Sequence, residues 1–214
     1  MRQMLRKGYV QQQVERLGSS LAHILGLKGD GSTEAAREAV QRASKELTNM
    51  DLEVLAALPD PTMMSLFGLG SAVDPARAYA AGMLLMEQAD LVDDPAPRRR
   101  KALLLLTEAM LHESSLRTDD TRARVAALIE KVGAEGHLTA PVRYHLLRYF
   151  EGIGDFAKAE DQIYAVEEMG DPKARETALW LYNRLSRLPD ALLIRGGLSR
   201  EEVDEELARW QQQG

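Results

Sequence analysis

The chain has 214 residues, of which 45% are apolar and 28% charged, with a formal charge of −6 and no cysteine. That length and composition allow a substantial core without staples, and the missing thiols exclude disulfides, zinc–thiolate centres, iron–sulfur clusters and thiol nucleophiles. The acidic balance argues against broad nucleic-acid binding.

The opening segment, Met1 to Gln13, is basic but lacks the apolar core of a signal peptide. No run approaches the ~18 apolar residues of a membrane span. A cytoplasmic location and no membrane span are the resulting expectations. Charge is uneven: residues 1–107 carry 13 of each sign, whereas residues 108–214 carry 14 basic and 20 acidic residues.

Helix periodicity dominates, and no stretch alternates strictly between apolar and polar residues. Val14, Leu17, Leu21, Ile24 and Leu25 form a stripe on a first helix near 4–25, ended by the glycines of 26–31. Further helices are predicted near 33–48, 51–57, 61–68, 75–92, 98–116, 121–133, 140–152, 155–168, 172–188 and 199–211. Asp60-Pro61, Asp74-Pro75, Asp94-Pro95 and Asp171-Pro172 each read as a helix start, because aspartate caps free N–H groups and proline fits the first helical position. Ser199-Arg-Glu-Glu202 is a capping box, with Leu198 and Val203 placed for a hydrophobic staple. A boundary is expected near 68–74, giving a helical segment over 1–70 and a second region over 71–214.

Tyr144 to Val166 reads as helix, tight turn, helix, with Ala159 at the close approach and Phe150, Phe156, Ile163 and Val166 filling the seam. A 34-residue shift overlays Val125, Ile129 and Val132 on Ala159, Ile163 and Val166. A period of that length marks stacked helical hairpins. Here the chain resembles the tetratricopeptide repeat: Gly154-Asp155-Phe156-Ala-Lys-Ala159 matches that family's inter-helix turn, and Pro172 falls near its terminal proline. Residues 138–172 match well, and the neighbouring units are degenerate. The arrangement of an N-terminal helix followed by hairpins also looks like an uncharacterised bacterial family of unknown function. The expected fold is all-α, with antiparallel hairpins stacked as a short tetratricopeptide-like solenoid behind an N-terminal helical segment.

Seven of the eleven aromatic residues lie between 144 and 182. The resemblance implies that the first helix of each pair lines a groove, which places Tyr144, Arg148 and Glu151 toward it and Tyr182 one repeat later. Tyrosine and arginine suit recognition of a peptide or partner helix. Phe150, Phe156 and Trp180 read as core. The first helix offers a second surface, Met4, Leu5, Val14, Leu17, Leu21 and Leu25, which packs on the body or pairs with a second copy.

Other motifs weigh little. The glycines at 26–31 follow a helix rather than a strand and lack the lysine of a phosphate loop. The basic run Arg98 to Lys101 reads as a solvated face neutralised by Asp93 and Asp94. Glu108 and His112, one turn apart, read as a surface contact. No histidine pair has metal-ligand spacing, and no constellation of acid, base and nucleophile is visible. The reading is a non-enzymatic interaction module without cofactor or metal, whose partner is a protein or peptide; the alternatives are a structural homo-oligomer assembled through the first helix and an enzyme whose site the sequence does not reveal.

Overall fold

The computed structural model describes residues 2–68 and 74–212, with side chains from residue 8 onward. Among the described residues there are twelve α-helices and one 3-10 turn, and no strand. The chain is all-α and forms two compact units, residues 1–137 and 138–214. The boundary expected at 70/71 therefore falls inside the first unit.

The first unit holds α1 (Arg2–Gly29), α2 (Thr33–Thr48), α3 (Leu52–Ala57), α4 (Asp60–Ser65), α5 (Pro75–Ala89), α6 (Ala96–His112), the 3-10 turn (Ser114–Leu116) and α7 (Asp119–Ala134). Its centre is the α5/α6 pair. Every residue of α6 from Lys101 to Met110 is buried. A helix buried on all sides must be wrapped by neighbours, and α5, α3, α4, the 3-10 turn and α7 all pack on it. Helix α5 also packs on α1 and α2, which is why residue 70 is no domain boundary. Gly82 permits the tight α5/α6 crossing, since a Cβ there would lie 2.8 Å from Leu106 Cγ.

Several local expectations are corrected. Helix α1 runs on through Gly26 and ends only at Gly29. Glycine costs about 1 kcal/mol of propensity in a helix, which is offset here by buried Ile24 and by Lys28, whose ammonium bonds Glu87 and Asp90 at 2.8 and 2.9 Å. Asp74 does cap α5, accepting from Arg77 N–H at 3.1 Å. Asp60 and Asp94 do not serve as caps; α4 and α6 begin after Pro59 and Pro95.

The basic run on α6 is a tether rather than a solvated face. Arg98 bonds Glu53 of α3 at 2.6 Å, and Arg99 bonds Glu135. Arg100 and Lys101 share Asp60 of α4, each at 3.1 Å. Lys101 is 1% exposed and also donates to the Leu58 carbonyl. The partners are thus Glu53, Asp60 and Glu135 from other elements, not Asp93 and Asp94. Glu108 likewise is buried rather than on the surface, with His112 Nε2 3.0 Å from its Oε1.

The second unit holds α8 (Ala140–Ile153), α9 (Phe156–Glu168), α10 (Ala174–Leu185), α11 (Asp190–Arg195) and α12 (Arg200–Gln212). Helices α8 and α9 form a hairpin whose turn is Gly154, at φ +82, a conformation that glycine adopts freely. Asp155 then caps α9 through Lys158 N–H, and Ala159 is fully buried in the seam. Helix α10 packs on α9 and α12. Both bonds of the Ser199–Glu202 capping box are formed, at 2.6 and 3.1 Å, over buried Leu198 and Val203. Helix α11 was absent from the sequence-based expectation. It starts after Pro189 and buries Leu193.

Candidate functional site

Within the second unit, α8 and α10 enclose an open cleft of about 420 Å³, lined by Tyr144, Leu147, Arg148, Lys173, Glu176, Thr177 and Trp180. Its geometry follows from the helical period. On α10, buried Ala174, Ala178, Leu181, Tyr182 and Leu185 form the core stripe. At 3.6 residues per turn, Lys173, Thr177 and Trp180 fall together on a different face. On α8, Tyr144, Leu147 and Arg148 share a face by the same three- and four-residue spacing.

Tyr144 forms the cleft's fixed edge. Its hydroxyl donates to Asp171 Oδ1 at 2.7 Å. Burial, reinforced by that carboxylate, pushes the Tyr144 phenol up to about 12. The same bond holds the Asp171 carboxyl below its ordinary range. Trp180 is 43% exposed, and the Arg184 guanidinium lies 5.1 Å from its ring centroid. Arg148 is exposed, and neither it nor Lys173 makes a salt bridge among the described residues. The cleft thus combines a flat ring, an apolar wall at Leu147, the Glu176 carboxylate and two cations that make no salt bridge among the described residues.

Of the four groove residues expected from sequence, Tyr144 and Arg148 line this cleft, and Glu151 and Tyr182 do not. Glu151 Oε1 accepts from Arg184 at 2.7 and 3.0 Å, and so acts behind Trp180. Tyr182 is 0% exposed and donates to Glu160 Oε1 at 2.7 Å. Its position on the α10 core stripe, beside Leu181, removes it from any surface. Trp180, expected in the core, takes the exposed role instead, whereas Phe150 and Phe156 are buried. Counting from Ala174, Ala178 and Leu185 would have separated Trp180 from Tyr182; repeat alignment alone did not.

Around Tyr182 lies a second polar cluster. Burial raises both the Tyr182 phenol and the Glu160 carboxyl above their ordinary values. Tyr164 is pushed up to about 12 by burial and by Glu206. Arg209 stacks 5.3 Å from the Tyr164 centroid and bonds Glu167 and Glu206, each at 3.0 Å. These groups satisfy one another.

The self-association stripe fares differently along its length. Leu17 is buried within the first unit, where α1 packs on α2 and α5. Val14 and Leu21 are half-buried, and Leu25 is 50% exposed. The side chains of Met4 and Leu5 lie outside the described residues. Leu17 therefore belongs to the core and not to a contact with a second copy.

Among the described residues no group of three or more His, Asp or Glu could hold a metal ion, and no helix is long and apolar enough to cross a membrane. No curated protein and no solved structure matches the chain. Residues 4–213 match a family of unknown function (DUF6483), and the chain belongs to that family.

Proposed function

We propose that this protein is a non-enzymatic interaction module whose second unit captures a peptide or partner helix in the cleft between α8 and α10. The observation that carries this reading is Trp180. A tryptophan 43% exposed, beside a leucine wall and two cations without a salt bridge among the described residues, suits an interaction hot spot. An apolar partner side chain would lie on Trp180 and Leu147. Partner carboxylates or carbonyls would accept from Arg148 and Lys173. Tyr144, fixed by Asp171, would set the edge. The stacked-hairpin arrangement and its likeness to tetratricopeptide repeats support the reading by analogy only.

The test is selection of binders from a displayed peptide library on the full chain, followed by fluorescence titration. Trp180→Ala and Arg148→Glu should each weaken the selected peptides by about tenfold or more, since truncating a hot spot costs about 2 kcal/mol. Both side chains are exposed, so the melting temperature should hold. Peptides that bind both variants as tightly as the original chain would remove this cleft as the docking site. Tyr144→Phe is the poorer test, because it also breaks the bond to Asp171.

A further inference from the structure

The first unit contains a larger cavity, of about 540 Å³, between the α1 segment at Val10–Glu15, the start of α5, the 3-10 turn and the start of α7. Its apolar lining is Val10, Val14, Tyr79 and Leu116, of which Val10, Tyr79 and Leu116 are buried. That size lies within the range of about 300–1,000 Å³ common for small-molecule sites.

Two further observations specify the occupant. First, among the described residues the charged side chains lining the cavity are Glu15 and Asp120, both exposed at its mouth, and no described lysine or arginine lines it. Glu15 makes no salt bridge among the described residues; its Oε1 accepts only the Gln11 amide, at 3.0 Å. Asp120 bonds Arg124 through Oδ2. Second, the Tyr79, Thr121 and Thr118 hydroxyls form a chain, at 3.1 and 2.9 Å. Three hydroxyl protons serve two bonds, so one proton has no acceptor within the chain. Thr121 itself is buried.

We infer that this cavity binds a small amphipathic ammonium compound. Its apolar body would lie against Val10, Val14 and Leu116, and its ammonium group against Glu15 and Asp120. An anion would meet two carboxylates. A hydrated metal ion would have to shed water against valine and leucine walls. An organic amine satisfies both halves of the lining, and an oxygen on it could accept the spare hydroxyl proton.

Two-dimensional amide spectra of the full chain test this directly, with 2-phenylethylammonium as probe, and 2-phenylethanol and 3-phenylpropionate as its neutral and anionic counterparts. The ammonium compound should shift the amides of Val10–Glu15 and Ser115–Thr121, and bind more tightly than both counterparts. Glu15→Gln should weaken it by about fivefold at most, as for an exposed ion pair. Val14→Trp should fill the cavity and abolish binding, with the α6 amides unmoved to report an intact fold. Equal binding of the alcohol, shifts confined to residues 138–214, or no shift at all would each overturn the proposal. So would a lysine-bearing peptide that binds where the amine does not.

Discussion

Single atoms decide several positions in the second unit. Gly196 has an ordinary φ of −84, so its conformation does not require glycine. Its surroundings do: an added Cβ would lie 2.2 Å from Phe156 Cδ2 and 2.8 Å from the Gly154 carbonyl oxygen. The Gly196 carbonyl also accepts from Ala157 N–H at 2.9 Å, so the backbone cannot retreat without breaking that bond. Gly196→Ala should destabilise the unit by about 2 kcal/mol, in the range for overpacking, read as a lower urea midpoint. Glu160 is a second such position. Burial raises its carboxyl above the ordinary 4.5, aided by Glu206, Glu202 and Asp161 and opposed by the Tyr182 hydroxyl. The folded unit therefore keeps a proton that the unfolded chain releases, and this contribution, complete below 4.5, is lost as pH rises through the raised value. Ionised Glu160 opposes folding at neutral pH. Glu160→Gln, which can still accept from Tyr182, should raise the unit's melting temperature near pH 7 and leave it nearly unchanged near pH 4. Both tryptophans, Trp180 and Trp210, lie in this unit, so fluorescence melts report it alone. An equal gain at both pH values would show that the carboxyl is not the source.

At the scale of elements, what was legible in the sequence was local chemistry. The α5 cap and the Ser199–Glu202 box are each written in a few consecutive residues, and they form as read. What was not legible depended on distant partners. The run Arg98 to Lys101 carries no sign that Glu53, Asp60 and Glu135 will meet it, so it resembled a solvated face. The exchange of Trp180 and Tyr182 had the same origin: a repeat alignment fixes neighbours in sequence, whereas the buried stripe of α10 fixes neighbours in space. The run also supplies a test of the tether. Lys101 is buried on Asp60 and the Leu58 carbonyl, and its loss would leave that carbonyl without its donor. Lys101→Ala should cost about 3 kcal/mol by chemical unfolding, as for breaking a buried ion pair. Lys101→Met, which keeps the aliphatic stem, should cost less. Arg122→Ala, which removes an exposed side chain bonded to the Arg117 carbonyl, should cost far less than either. If all three were alike, α6 would not be holding α4 through Lys101.

For the molecule as a whole, the question is what α1 is for. If α1 were mainly an assembly element, deleting residues 1–29 would turn an oligomer into a folded monomer. The packing argues for a different outcome. Val10, Leu17 and Ile24 are buried, and α1 covers both α2 and α5. Burying each large apolar side chain is worth about 1.5–3 kcal/mol, so losing three of them, with the Lys28 bonds to Glu87 and Asp90, rivals the whole stability of a domain, about 5–15 kcal/mol. The truncated chain should therefore lose the first unit's fold, with a drop in far-ultraviolet helicity larger than α1 alone accounts for. The tryptophan signal reports only the second unit, which has its own core in α8 to α12, and its midpoint should stay where it was. Circular dichroism and fluorescence on the same sample separate the two responses. A helicity loss confined to α1, together with a fall from dimer to monomer in light scattering, would instead assign the exposed side of α1, around Leu25, to self-association.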